Sequence, residues 1–86
     1  MWPIRHNLTP EETAVFKVIC PRAERVHIQE EDWGTRLGCG VTFDDGLMHA
    51  VRTPEMEVYS MDKDRHTFLA KAALRLDAWH REKVKA

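Results

Sequence analysis

Arg36-Leu37-Gly38-Cys39-Gly40-Val41-Thr42-Phe43-Asp44-Asp45-Gly46-Leu47-Met48-His49-Ala50-Val51-Arg52 is the stretch on which the fold turns. Leu37, Cys39, Val41 and Phe43 alternate with Arg36, Gly38, Gly40 and Thr42, the period of a strand buried on one face. A second apolar run follows from Leu47, and Asp-Gly between two such runs is a strong hairpin signal. A two-residue turn at Asp45-Gly46 pairs Asp44 with Leu47, Phe43 with Met48, Thr42 with His49 and Val41 with Ala50. That register predicts a core face of Leu37, Cys39, Val41, Phe43, Met48 and Ala50. The opposite face then carries Arg36, Gly38, Gly40, Thr42, His49 and Val51.

Working outward, Val26 and Ile28 alternate with Arg25, His27 and Gln29, which predicts a preceding strand. Thr53-Pro54 ends the hairpin, and Met56 to Tyr59 adds a further short strand. On the amino-terminal side, Thr9-Pro10-Glu11-Glu12 reads as a helix start: a hydroxyl cap, a proline in the first helical position, and a glutamate three residues after the cap. The helix runs to about Cys20, before Pro21, although Val15, Val18 and Ile19 leave a strand over 14–20 as the alternative. On the other side, Ser60 caps a second helix over about 61–84, with Asp62 and Asp64 beside its positive end. Phe68, Leu69, Ala72, Ala73, Leu76 and Trp79 form one apolar stripe on it. The expected fold is a single α+β domain over residues 1–86, ordered α-β-β-β(-β)-α, with an antiparallel meander sheet packed on a long C-terminal helix. Leu37, Val41, Phe43, Met48, Phe68, Leu69, Leu76 and Trp79 are its candidate core.

Eighty-six residues allow one hydrophobic core and not two. A composition 43% hydrophobic and 31% charged fits a globular chain rather than a disordered one. Met1 to Asn7 lacks the apolar run of a signal peptide, and no stretch approaches the ~20 apolar residues that span a bilayer. Cys20 and Cys39 are fewer than a disulfide scaffold uses, so a reducing, cytoplasmic setting is expected. Residues 1–61 hold 6 Lys/Arg against 10 Asp/Glu, and residues 62–86 hold 7 against 4. An acidic body with a basic tail argues against a uniformly basic nucleic-acid binder.

Site chemistry is sparse. Cys20, His27, Cys39 and His49 lack the paired spacing of a zinc site, and His66 and His80 stand fourteen residues apart on one helix, about 21 Å. The five histidines therefore read as scattered surface residues, and neither metal nor cofactor is expected. Neither cysteine has an activating base nearby in sequence, and both read as buried thiols. Glu11-Glu12 and Asp44-Asp45 belong to a cap and a turn. No hydrolase, protease or phosphate-loop motif occurs, so no catalytic role is expected.

A meander brings the loop 30–35 and the turn 53–57 to one end of the sheet. Glu30, Glu31, Asp32, Glu55 and Glu57 would crowd there around Trp33, an aromatic suited to anchoring an interface. The expectation is a small non-catalytic protein-binding module, a regulator or inhibitor of a larger assembly whose partner has a basic surface. A phage-encoded inhibitor of host defence, such as an anti-CRISPR protein, is the specific form expected. The alternative is nucleic-acid binding through Lys63, Arg65, Lys71, Arg75, Arg81 and Lys83 on the outer side of the second helix. The order helix, three strands, helix is similar to that of double-stranded RNA-binding domains, and Leu69-Ala70-Lys71-Ala72-Ala73-Leu74 resembles their closing helix. Where those domains carry a lysine cluster, this chain has Asp62-Lys63-Asp64-Arg65, which argues against membership.

Overall fold

The computed structural model describes residues 4–31, 36–52 and 61–85. In chain order the elements are β1 (Ile4–Asn7), α1 (Pro10–Ile19), β2 (Ala23–Glu31), β3 (Arg36–Phe43), β4 (Met48–Arg52) and α2 (Met61–Lys85). The four strands form one antiparallel sheet in the order β1-β2-β3-β4. The expected α+β architecture, a meander packed on a long closing helix, is the one observed. Its one unforeseen element among the described residues is β1, which adds an edge strand ahead of α1. The short strand expected over 56–59 lies outside the described residues.

Residues 14–20 resolve to helix. Thr9 is extended, its hydroxyl accepts from the Glu12 N–H at 3.1 Å, and Glu12 Oε1 accepts from the Thr9 N–H at 2.9 Å, a complete capping box. Two otherwise orphaned N–H groups are thereby satisfied, which outweighs the weak strand preference of Val15, Val18 and Ile19. Cys20 caps the other end, its N–H donating to the Phe16 carbonyl at 2.8 Å. The chain then turns into β2, where a bulge between Ala23 and Arg25 interrupts the ladder.

The hairpin forms where expected, but its register differs by one residue. Val41 pairs with His49 and Thr42 with Met48, not Val41 with Ala50 and Thr42 with His49. The loop holds three residues, Asp44-Asp45-Gly46: the Phe43 N–H donates to the Leu47 carbonyl at 2.8 Å, and the Gly46 N–H to the Phe43 carbonyl at 3.0 Å. Gly46 has φ of +88° and is the left-handed residue that closes a three-residue loop, rather than the second residue of a two-residue turn. One extra loop residue reverses every side chain of the returning strand. Met48, expected in the core, is therefore 71% exposed, and Val51, expected outside, is buried. His49 joins the helix side, stacked on Trp79 with centroids 4.1 Å apart.

Both helices pack on one side of the sheet. Ile28, Cys39, Val41, Phe43 and Val51 meet Phe16 and Cys20 from α1 and Phe68, Leu69, Ala72, Ala73 and Leu76 from α2. Trp79 is half-buried against this core. Full burial of a side chain the size of Phe43 or Leu76 contributes roughly 1.5–3 kcal/mol.

Candidate docking site

The acidic residues read as a docking edge fall in two groups. Glu30 and Glu31 lie within β2 rather than in a loop, because β2 continues through Glu31, opposite Leu37 and Arg36 respectively. Glu30 Oε1 stands 2.9 Å from His6 Nε2, so its charge already faces a basic group from β1. Asp32, Trp33, Glu55 and Glu57 lie outside the described residues.

The hairpin end holds the densest polar arrangement. His80, expected on the surface, is 2% exposed. Its ring stacks on Phe43 at 4.0 Å, and its Nε2 lies 2.8 Å from Asp45 Oδ2. Phe43 in turn stacks with Trp79 at 5.9 Å, and Trp79 with His49, giving a row of four rings that ties α2 to β3 and β4. Arg22 closes the outside with Nη2 at 2.8 Å from Asp44 Oδ1. Asp45 is held below the usual carboxylate range, first by the Leu47 N–H it accepts at 3.0 Å and then by His80 and Arg22. A histidine beside an aspartate suits acid-base catalysis, but this imidazole is sealed between a phenyl ring and a carboxylate. The thiols offer no nucleophile either. Burial pushes Cys20 up to about 11, helped by Asp77, and pushes Cys39 up to about 12. No cluster of three metal-ligating side chains occurs among the described residues.

On the sheet face away from the helices, β3 carries Gly38 and Gly40. A Cβ at Gly40 would stand 2.5 Å from His27 Cε1, so the glycine makes room for the His27 ring to lie across the strand. Arg52 similarly lies over Gly38, its Cγ 3.5 Å from where a Cβ would be. The two side chains roof the central strand.

Between α1 and α2 the molecule is open. A groove of about 390 Å³ is lined by Val15, Phe16, Ile19, Leu69 and Ala70, with Thr9, Glu11, Glu12 and His66 at its rim. Val15 is 62% exposed, Val18 one turn further on is 81% exposed, and Leu74, one turn beyond Ala70, is 62% exposed. Thr9 and Glu12 satisfy each other in the cap. Glu11 and Lys17, both exposed, make no hydrogen bond or ion pair with other described residues. The groove and its three flanking side chains form one apolar surface with a carboxylate towards one end of α1 and an ammonium towards the other. Sequence reasoning missed it, although a signal was present. At about 100° per residue Phe16 and Val18 point some 200° apart, so α1 is apolar around more of its circumference than one core face requires.

The basic residues of the alternative reading are dispersed. Arg81 pairs with Asp77 at 2.9 Å, and Lys83 lies 5.6 Å from the Trp79 ring centroid. Among the described residues no helix is long and apolar enough to cross a membrane. Comparison with protein-family models, with curated proteins and with solved structures finds no match.

Proposed function

We propose that this chain is a non-catalytic protein-binding module, acting as a regulator or inhibitor through the helical face made by α1 and α2. The observation that carries the reading is the groove beside Val15, Val18 and Leu74. Single exposed apolar residues are ordinary on protein surfaces, whereas several around an apolar cleft resemble the surfaces that receive a partner's side chains. The sealed His80 and the high-pKa thiols fit the absence of catalysis from this reading. Glu30, paired with His6, gives the acidic edge less support than the groove has, and the edge is kept as a steering element rather than the anchor.

The test is a comparative capture from the native host, using the wild-type chain, a Val18→Asp/Leu74→Asp variant and a Glu30→Lys/Glu31→Lys variant, followed by calorimetry with whatever protein is identified. The affinity of that partner is expected to fall at least tenfold for the helical-face variant and far less for the strand variant. A partner held equally by wild type and helical-face variant would rule the groove out.

A further inference from the structure

We infer that a second copy of this chain occupies the helical face, α1 packing antiparallel against α1 of its twin around a two-fold axis. This deepens the docking reading above and rests on it. The exposed side of α1 carries Glu11, Ala14, Val15 and Val18, spaced three, one and three residues apart. Reversing the direction of such a stripe reproduces it: with Ala14 set against Val15 of the twin, Glu11 falls beside Val18 of the twin, and each contact occurs twice. Isologous pairing demands that symmetry of a surface, and few ten-residue helices possess it.

The charges are arranged in the same way. Glu11 lies near the start of α1 and Lys17 near its end, and neither has an ionic partner within the described chain. Antiparallel packing brings Glu11 of one copy within a long side chain's reach of Lys17 of the other, on both sides of the axis. A parallel arrangement would oppose like charges instead. Ala14 allows close approach at the centre, and Val18 of each copy reaches towards the groove beside Val15. Ala70 and Leu74 of α2 widen the contact. Because α1 spans only about 15 Å, the buried area is at the low end for specific interfaces, and the dimer dissociates on dilution.

Sedimentation equilibrium on the full chain over a wide concentration range tests this. A monomer–dimer equilibrium is expected. Val18→Asp, and separately Leu74→Asp, should weaken it by about 100-fold, because each places a charge in an apolar seam. Glu11→Lys should weaken it by about tenfold, since it faces two ammonium groups across the axis, and Glu11→Lys/Lys17→Glu should restore it. All four positions are exposed, and melting of the dilute variants should match wild type. A chain that is monomeric throughout overturns the inference, as does a dimer indifferent to Val18→Asp or a double charge reversal no better than the single one. If self-association is absent while a heterologous partner still depends on Val18, the dimer is refuted and the docking reading stands. If neither depends on Val18, both fail.

Discussion

The two ends of α2 meet the rest of the molecule in different ways. Towards its C-terminal end, Leu76, Trp79 and His80 close against the β3–β4 hairpin, and the four stacked rings and the Asp45 contact leave each group with a partner inside the chain. Nearer its N-terminal end, Phe68 and Leu69 are equally buried on the sheet side, but Ala70 and Leu74 border a groove that α1 does not fill. Composition does not explain the contrast, since both ends are apolar on the sheet side. What differs is the neighbour. The hairpin supplies Phe43 and Asp45 to receive α2, while α1 turns Phe16 inward and leaves Val15 and Val18 outward.

The largest expected effect lies at the closed end. Phe43→Ala removes a fully buried ring touching both Trp79 and His80 and should cost about 3–5 kcal/mol, read as a fall in the denaturant midpoint. A near-wild-type midpoint would mean that the ring row contributes little and that the two ends of α2 are alike.

His80→Ala should cost about 2–3 kcal/mol by the same measure, because Asp45 loses a charged-group hydrogen bond and Phe43 loses a stacking surface. If His80→Phe keeps the stack and recovers most of the loss, packing rather than the Asp45 contact holds the helix.

Acid probes the contact from the other side. Asp45 titrates lower in the folded chain than when unfolded, so its stabilising effect is complete above the ordinary carboxylate range and is lost as pH falls through its depressed folded value. Thermal melts below about pH 4 should therefore fall less steeply for Asp45→Asn than for wild type. Parallel curves would show that Asp45 ionisation does not contribute.

The smallest effect belongs to the open end. Val18→Ala in dilute solution should change stability by no more than about 0.5 kcal/mol, since an 81% exposed side chain loses little burial and alanine is the better helix former. A loss near 2 kcal/mol would mean that Val18 is packed within the single chain, and the contrast between the two ends would collapse.

Much of this molecule was legible in its residues. The capping residues of α1, the stripe on α2 and the Asp-Gly hairpin all rest on local chemistry, and Phe43, Phe68 and Leu76 followed from them as core. The hairpin register did not, because Asp45-Gly46 fits either a two-residue or a three-residue loop, and the choice depends on what β4 packs against. β1 escaped notice because four residues containing Arg5, His6 and Asn7 show no strand pattern until β2 is there to pair with them. His80 was read as surface because a titratable side chain is usually solvated, and only the folded hairpin brings Asp45 and Phe43 to it. The groove was hidden for a related reason: periodicity shows which residues avoid water, and not whether the chain contains enough partners to cover them.

The three-residue loop has a consequence for how this chain can change over generations. An in-frame loss of one codon within Asp44-Asp45-Gly46 shortens the loop to two residues, and a two-residue turn returns β4 in the opposite phase. Met48 and Ala50 would then face α2, and His49 and Val51 would face away, which removes the His49–Trp79 stack without altering a single residue of the strand. Near-UV circular dichroism of the deletion variant would register the lost ring contact. Point substitutions on β4 adjust one surface position at a time, whereas a single deletion in the loop exchanges the two surfaces wholesale, so loop length is the character in this hairpin that inheritance can least afford to vary.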